Sequence, residues 1–566
     1  MTALLSTIEK TTPEERPTGL VGVSRTRVLI AAALLGLGTL FLLILVIPGT
    51  LDGLDARSMY EVVQSIVDHG DVTTASSLTG VPGVYGHFYS KYGPGQSLAA
   101  LPLFVIGRAL SPLVPPYFAP ELPIMVSSLL PAIVTALTVE LFFLTAIELG
   151  ATARGAVVLS LVYLLATPTV VYAAQWFSEP LTACALLAAV YALLRDRRTP
   201  APWWPILAGA ALAAAVCTRL DALLFVPPLF VYLLIPREDR AARAFSFILP
   251  LGIALVGLAS YNADRFGSPF ESGYGIANAV DAFANRDAHP PHTLFSLAQG
   301  LYGLLLSPGK GLLEYAPPVL LAPLGAALLW ARRRTETALL LALFLIGLVA
   351  HANVLIRWLG GWSWGPRFLI PVLPIALLLL APLLGPAMTW ARRTHLVWVW
   401  AALGVLTVLG LAVQIPALAV HEPHTYINAI RIPYFQTYCR PYRPASPNHS
   451  CAHPIATWTA IEDAYSFVPG DSPILGAWRM LGQPATWTQP PDLSPTTVAT
   501  KNITTAPRAW WWLLYVQGVP AAALWAACAL LLLLALACIG MAPRVLYIQP
   551  ERPAPSFERT ALDVRA

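Results

Sequence analysis

Residues 28–48 read VLIAAALLGLGTLFLLILVIP, an apolar run without a charged residue that is long enough to cross the hydrocarbon core of a bilayer as a helix. Similar runs recur along the whole chain of 566 residues, of which 57% are hydrophobic and 11% are charged. The mean hydropathy is +0.64. Soluble domains carry about 25% charged residues. The composition therefore predicts an all-α polytopic membrane protein and excludes a nucleic-acid-binding protein, despite the net charge of +5.

The apolar runs predict about twelve transmembrane helices, each long enough or nearly long enough to span the bilayer. The predicted spans are 28–48, 123–147, 154–174, 180–195, 203–217, 219–235, 244–263, 314–331, 337–356, 368–386, 396–416 and 510–538.

Clusters of arginine fix the orientation of these spans. They follow every second span, so that all of them lie on one side of the membrane. The positive-inside rule identifies that side as the cytoplasm. The clusters are Arg195, Arg197 and Arg198; Arg237, Arg240 and Arg243; Arg332, Arg333 and Arg334; and Arg392 and Arg393.

The orientation divides the chain into membrane and outer regions. Residues 96–112 are predicted to lie on or dip into the outer leaflet, because counting them as a span would place the arginine clusters outside. The alternative is that the spans within 203–235 are miscounted. Cys439 and Cys451 form a candidate disulfide in the outer region. The predicted parts are a cytoplasmic tail 1–27, a core 28–416 with outer loops 49–122 and 264–313, an extracytoplasmic region 417–509, a last span 510–538 and a cytoplasmic tail 539–566.

Two acidic residues of the outer segments are candidates for catalysis. Asp55 begins a predicted amphipathic juxtamembrane helix, where it either caps the helix or serves as a general base, with Asp52 as its rival. Glu179 lies in the turn between two spans, where it either caps the next helix or joins Asp55 in a two-carboxylate site. The apolar face of the amphipathic helix is expected to contain Met59, Val62, Val63, Ile66 and Val67.

Two lysines on the same side are candidates for binding an anion. Lys91 and its neighbour Tyr92 precede a glycine- and proline-rich turn that opens an apolar helix, and a helix N-terminus favours anions. The alternative for Lys91 is contact with lipid headgroups. Lys310 is flanked by glycines, which would let a phosphate approach the backbone.

Residues 357–367 read RWLGGWSWGPR and directly precede a predicted span on the outer side. Arginine is the preferred bidentate partner of phosphate, while tryptophans at this position also suit an interfacial aromatic belt. Arg219 and Asp221 either belong to the same site or form a simple ion pair. The predicted binding residues of this segment are Arg357, Trp362, Trp364 and Arg367.

Four segments in this order resemble the multispan glycosyltransferases of the C-type fold, which use polyprenyl-phosphate sugars and include protein mannosyltransferases and aminoarabinose transferases. The resemblance covers residues 28–390. The turn SKYGPG departs from the lysine-diproline form of the aminoarabinose transferases, which argues against that sugar. The segments are LDARSMYEVVQSIVDHG at 54–70, YSKYGPGQSLAALP at 89–102, YNADRFGSPFESGYG at 261–275 and GGWSWGPRFLIPVLP at 360–374.

The resemblance implies a hexosyl or pentosyl transferase of the plasma membrane with an extracytoplasmic active site. It would move one sugar, with inversion, from a polyprenyl-phosphate donor to a hydroxyl of a glycan, lipid or protein. Asp55 matches the catalytic aspartate of the family, and Glu179 stands where the family often has aspartate. Lys91, Lys310 and Arg367 would hold the phosphate. No cofactor is certain, and a divalent cation between the two acids stays open.

Two other classes compete with this interpretation. A transporter or lipid-linked glycan flippase would also be a multispan protein, but it would place ionisable residues on broken helices near the bilayer midplane. A ligase that moves a whole glycan from a lipid pyrophosphate would share the outer site. The predicted spans carry few charges and show no matching halves, which favours the glycosyltransferase.

Overall fold

The structure, a computed structural model, describes residues 24–51, 53–235, 239–277, 293–352, 358–361, 363–385, 393–420, 466–481 and 509–546. In the first half of the chain the helices are α1 (Arg25–Ile44), α2 (Leu54–Asp68), α3 (Gly95–Leu110), α4 (Leu122–Ser127), α5 (Leu130–Glu148), α6 (Ala153–Leu165), α7 (Thr169–Tyr172), α8 (Glu179–Arg198), α9 (Trp203–Thr218), α10 (Val226–Leu234) and α11 (Arg240–Phe266). In the second half they are α12 (Leu294–Leu306), α13 (Leu312–Tyr315), α14 (Ala322–Trp330), α15 (Arg334–His351), α16 (Leu373–Leu378), α17 (Arg393–Val420), α18 (Pro473–Leu481), α19 (Trp510–Val516) and α20 (Ala521–Val545).

The protein is a polytopic membrane protein. Within the described ranges, seven helical segments are long and apolar enough to cross a bilayer, and shorter apolar helices lie between them. The seven are Arg25–Ile44, Gly95–Leu113, Leu122–Glu148, Arg240–Phe266, Arg334–His351, Val397–Ala419 and Ala521–Val545. Gly95–Leu113 belongs to this set by length and composition, although the sequence predicts that it lies at the outer leaflet. It packs mainly against α2 and α4, and its placement outside the bilayer core stays a prediction.

Several predicted spans are broken rather than continuous, because proline cannot donate the backbone hydrogen bond of a helix interior. The predicted span 219–235 consists of a 3-10 segment, Leu220–Phe225, followed by α10. The predicted span 368–386 consists of 3-10 segments Arg367–Val372 and Ala381–Leu384 on either side of α16. Residues 369–385 are all buried inside the protein, where irregular backbone is tolerated at membrane depth. The last predicted span, 510–538, is divided between α19 and α20.

The first predicted outer loop forms a small folded unit around the amphipathic helix α2. The strands Thr73–Thr74 (β1), Val81–Pro82 (β2) and Phe88–Tyr89 (β3) form an antiparallel sheet with β3 in the centre. The buried face of α2 contacts a separate apolar core that includes Tyr92, Phe104 and Trp176. Met59, Val62 and Val63 are buried as predicted, whereas Ile66 is half-buried and Val67 is exposed because they lie in the last turn of α2, beyond this core.

The two ends of α8 carry opposite charges. Glu179 is its first residue, and the cluster at its last turn binds Glu148 at the end of α5: Arg195 Nη1 lies 2.8 Å from Glu148 Oε1. Since a helix rises about 1.5 Å per residue, this 20-residue helix separates Glu179 from the arginine cluster by about the thickness of a bilayer core. Of the predicted region 417–509, residues 466–481 contact the bundle through Phe467, which packs on Trp358 and Tyr302.

Candidate active site

Asp55, Glu179 and Arg367 meet in the folded chain. Arg367 donates from Nη1 to Asp55 Oδ2 at 2.8 Å and from Nε to Glu179 Oε1 at 2.7 Å. The sequence separations are 312 and 188 residues, so only the tertiary fold produces these contacts. The guanidinium also lies over the ring of Phe177, 4.0 Å from its centroid. The two predicted catalytic acids are therefore held by one planar cation.

The two acids share a local position at the start of a helix but differ in exposure. Gly53, with φ +88°, is the N-cap of α2, so Asp55 stands in the first turn and is not the capping residue. Glu179 is the first residue of α8. A helix N-terminus favours a negative charge. The side chain of Asp55 is 28% exposed and that of Glu179 is 0% exposed, so Asp55 is the acid that a substrate can reach.

Asp55 is kept ionised by its surroundings. Burial by itself would raise the pKa of Asp55, but the charge of Arg367, a hydrogen bond from Tyr92 and the charge of Lys91 outweigh burial, and the pKa lies below its usual value. Burial, followed by the charge of Asp55, raises the pKa of Tyr92 well above its usual range, so its hydroxyl stays protonated and donates. Tyr92 thus orients the carboxylate that it contacts.

Lys91 is placed by the turn that follows it. A Cβ at Gly93 would lie 2.2 Å from the carbonyl oxygen of Cys217, and one at Gly95 would lie 2.3 Å from Thr218 Oγ1. Only glycine permits this close approach to the end of α9. The Lys91 ammonium lies 5.6 Å and 5.9 Å from the ring centroids of Tyr92 and Tyr274. Among the described residues, none forms a hydrogen bond or ion pair with it.

Arg265 is a second cation that the sequence reasoning did not single out. It is 1% exposed, and its partners are neutral: the carbonyl oxygens of Tyr261 (3.1 Å) and Ser90 and the Asn262 side chain (2.9 Å). No carboxylate pairs with it in the described part of the chain. Its sequence signal was present in the segment YNADRFGSPFESGYG, but an arginine at the end of a span is usually read as an interfacial anchor.

Lys91 and Arg265 line one cleft beside the two acids. Arg219 also borders it, and its guanidinium binds Glu179 Oε1 at 2.6 Å and Asp221 Oδ2 at 2.8 Å. Arg219 and Asp221 are thus an ion pair, but one that also belongs to the site. Four further polar residues border the cleft: Thr218, Asn262, Ser272 and Tyr274. Two cations without a described acidic partner make this cleft suited to an anion.

Lys310 and Trp364, both predicted to bind substrate, are directed elsewhere. The Lys310 side chain is 0% exposed, and its ammonium donates to Gly361 O (2.9 Å), Ser363 O (2.6 Å) and Ser363 Oγ (3.1 Å). An ammonium has three donors, so these contacts occupy it. Trp364 is buried against Tyr315 and donates to Gln414 Oε1 at 3.0 Å. Both side chains hold the segment that leads to Arg367.

Some sequence predictions fall outside the described residues. The rival acid Asp52, the binding candidates Arg357 and Trp362, and the cysteines Cys439 and Cys451 belong to this group. Their proposed roles, including the disulfide, stay predictions.

A divalent cation between Asp55 and Glu179 does not fit the arrangement of the side chains. The Arg367 guanidinium lies between these carboxylates and contacts both. In the described part of the chain, no three His, Cys, Asp or Glu residues are grouped as metal ligands. The positive charge that a metal would bring here is already supplied by arginine.

Comparisons with known proteins give only distant likenesses. No protein-family model and no curated protein sequence matches the chain. Among solved structures, it is similar to ArnT from Cupriavidus metallidurans in the apo state (16% identity, 89% of this chain and 75% of that chain, TM-score 0.42). It is also similar to the same protein bound to undecaprenyl phosphate (16% identity, 91% and 77%, TM-score 0.43).

A third likeness is to the Archaeoglobus fulgidus oligosaccharyltransferase in complex with zinc and sulfate (16% identity, 75% of this chain and 59% of that chain, TM-score 0.46). At these scores the likeness does not establish a family for this chain, and its function has to be inferred from its own residues.

Proposed function

We propose that this protein is a glycosyltransferase that moves one sugar from a polyprenyl-phosphate donor to an acceptor hydroxyl, with inversion, at the outer face of the membrane. The observation that carries the proposal is the meeting of Asp55, Glu179 and Arg367 beside a cleft lined by Lys91 and Arg265. A partly exposed carboxylate next to cations that have no acidic partner among the described residues combines a proton acceptor with a place for a charged leaving group.

Asp55 is the general base in this mechanism. The acceptor oxygen attacks the anomeric carbon, the bond from that carbon to the phosphate oxygen breaks, and the hydroxyl proton passes to Asp55. Polyprenyl phosphate leaves with the bonding electron pair. Because Asp55 is ionised, it accepts the proton as the attacking oxygen gains positive character. A single displacement from the side opposite the phosphate inverts the anomeric centre.

Lys91 and Arg265 hold the donor phosphate. Both side chains line the cleft, and neither forms an ion pair with an acid in the described part of the chain, so a phosphate would not have to displace an internal carboxylate. Charge that develops on the leaving phosphate oxygen is stabilised by these fixed donors. Glu179 is fully buried and binds Arg219 and Arg367, and its task is to hold Arg367 against Asp55.

The outer location follows from the orientation of α8. Glu179 starts this helix and Arg195 and Arg198 end it, bound to Glu148. If the arginine clusters lie in the cytoplasm, Glu179 and the residues bound to it lie on the opposite side. A lipid donor can then enter from the outer leaflet of the same membrane. The membrane thus surrounds the helices of the protein and also contains the lipid donor.

The test is sugar transfer by the purified protein in lipid nanodiscs, with radiolabelled polyprenyl-phosphate sugars as donors and a membrane extract as the source of acceptor. We expect wild-type protein to transfer label and Asp55→Asn to lose about 10²- to 10⁴-fold in rate, the usual contribution of a general base. Asp68→Asn is the matched control, because Asp68 ends the same helix and pairs with Arg108 at the surface.

Two outcomes would overturn the proposal. One is undiminished transfer by Asp55→Asn alongside an active Asp68→Asn control. The other is that the labelled lipid crosses the membrane of a sealed vesicle while no sugar is transferred from any tested donor. That result would favour the flippase.

A further inference from the structure

The ion pairs of the site continue beyond Glu179 into the helical bundle. Arg219 Nε lies 3.1 Å from Asp221 Oδ1, and Asp221 Oδ2 lies 2.9 Å from His351 Nε2. His351 is the last residue of α15 and is only 3% exposed. Side chains of alternating charge therefore connect Asp55 to His351 through Arg367, Glu179, Arg219 and Asp221.

Both ring nitrogens of His351 lie within hydrogen-bond distance of an oxygen atom. Its Nδ1 lies 2.8 Å from the carbonyl oxygen of Gly347, which can only accept. Its Nε2 faces the carboxylate of Asp221, and an ionised carboxylate can also only accept. A neutral imidazole carries one N–H and can serve only one of these partners. Both contacts are satisfied when both ring nitrogens are protonated.

The ring of Phe368 connects His351 and Asp221 to Arg367 by a second route. It stacks on His351 with 5.1 Å between ring centroids and an interplanar angle of 18°. The Arg219 guanidinium lies 5.6 Å from the same ring centroid. Phe368 follows Arg367 directly, so the position of His351 constrains the backbone that carries Arg367. In the described part of the chain, the polar and aromatic groups that face His351 are Asp221, the Gly347 carbonyl and the Phe368 ring, with Arg219 behind Asp221.

We infer that His351 is held as an imidazolium and is a positioning residue, which acts through Asp221 and Arg219 to keep Arg367 on Asp55. It lies outside the set of residues that would touch the sugar or the phosphate. This inference deepens the proposed function, and its expected effect on kcat rests on that function. The charge assigned to His351 rests on the hydrogen-bond geometry alone.

Loss of His351 should redistribute the arginines. Asp221 would then have Arg219 as its remaining described partner and would draw that guanidinium away from Glu179. Glu179 would compete more strongly for Arg367, and Asp55 would lose its fixed orientation. Lys91 and Arg265, which hold the phosphate in the proposed function, take no part in these ion pairs and would keep their positions. We therefore expect His351→Gln to lower kcat at least tenfold while the KM for the lipid donor changes less than threefold.

The first measurement does not depend on sugar transfer. Nitrogen-15 NMR of histidine-labelled protein in nanodiscs near neutral pH should show one imidazolium with two protonated ring nitrogens that disappears in His351→Gln. The Nε2 signal should shift in Asp221→Asn, because the carboxylate that accepts from Nε2 is replaced by an amide. The ten histidines are few enough for assignment by difference. A neutral His351 in wild-type protein would overturn the inference.

The second measurement is the kinetic one, with exposed His69 replaced in His69→Gln as the matched control. A supporting result is a selective loss of kcat in His351→Gln and partial recovery in His351→Lys, which restores a cation that can bind Asp221. Normal kcat in His351→Gln, with wild-type protein active, would overturn the positioning role. An imidazolium in protein that transfers no sugar with any donor would leave the charge assignment in place and count against the proposed function alone.

Discussion

Replacement of Arg367 by glutamine tests the centre of the site most directly. The Arg367 side chain is 11% exposed and donates to Asp55 and Glu179 at 2.8 and 2.7 Å. Glutamine keeps part of the length but removes the charge. Removing one partner of a buried ion pair costs about 3–5 kcal/mol, because the other partner is left uncompensated. Glu179 retains Arg219 and Asp55 is partly solvated, so we expect the lower end, about 3 kcal/mol.

The assay is equilibrium unfolding in mixed micelles, followed by tryptophan fluorescence. Arg57→Gln is the control, since Arg57 is 69% exposed on α2 and its Nε lies 3.4 Å from Glu61. That change should cost less than about 0.5 kcal/mol. Addition of Asp55→Asn to Arg367→Gln should recover about 1 kcal/mol, because one uncompensated carboxylate is removed.

Equal unfolding midpoints for Arg367→Gln and Arg57→Gln would refute this reasoning. So would strict additivity of Arg367→Gln and Asp55→Asn, because residues in direct contact should show a coupling energy.

Three further predictions concern the neighbouring residues. Lys91→Met should weaken donor binding about tenfold or more, with little loss of stability. Lys310→Met should instead lower the free energy of unfolding by about 3 kcal/mol, because three buried acceptors lose their donor. Donor-binding and unfolding measurements on both variants distinguish the two roles. The folded pKa of Asp55 is lowered, so its contribution to stability is present above the unfolded value of about 3.9 and is lost as the pH falls through the folded pKa. Wild-type protein should therefore lose more stability than Asp55→Asn in acid unfolding titrations, and parallel titrations would contradict this. Gly93→Ala should cost about 2 kcal/mol because its Cβ would meet the Cys217 carbonyl oxygen. Gly257→Ala in α11, where nothing lies within 4 Å, should be tolerated, and equal unfolding of the two variants would count against the glycine turn.

The apolar runs predicted the membrane class because hydrophobicity is a local property of consecutive residues. They did not predict where helices break. The runs 219–235 and 368–386 are apolar throughout their middle, yet prolines divide both into 3-10 and α segments. The amphipathic pattern located α2 correctly, since a period of 3.6 residues is visible in a short window. Its last turn was misjudged at Val67, because the apolar core that it packs on ends earlier.

The sequence also identified individual charged residues better than it identified their partners, which are distant in the chain. Asp55, Glu179 and Arg367 stood out because a charge at the edge of an apolar run is unusual. Lys310 stood out because glycines flank it, but its ammonium binds the segment at Gly361 and Ser363, since a lysine buried in a bundle takes the nearest acceptors. The sequence showed no sign that His351 meets Asp221, 130 residues away.

The sequence by itself determined that this chain is an α-helical membrane protein and which ionisable residues its apolar runs carry. The side of the membrane on which these residues lie stays a prediction from the arginine clusters. Only the tertiary structure decided that Asp55 and Glu179 share one arginine, that Arg265 joins Lys91 in the cleft, and that His351 completes the ion pairs. The physical reason is that the preference of a segment for lipid depends on the hydrophobicity of its own consecutive residues. A hydrogen bond between side chains depends on ångström-scale distances, which only the packing of distant helices sets.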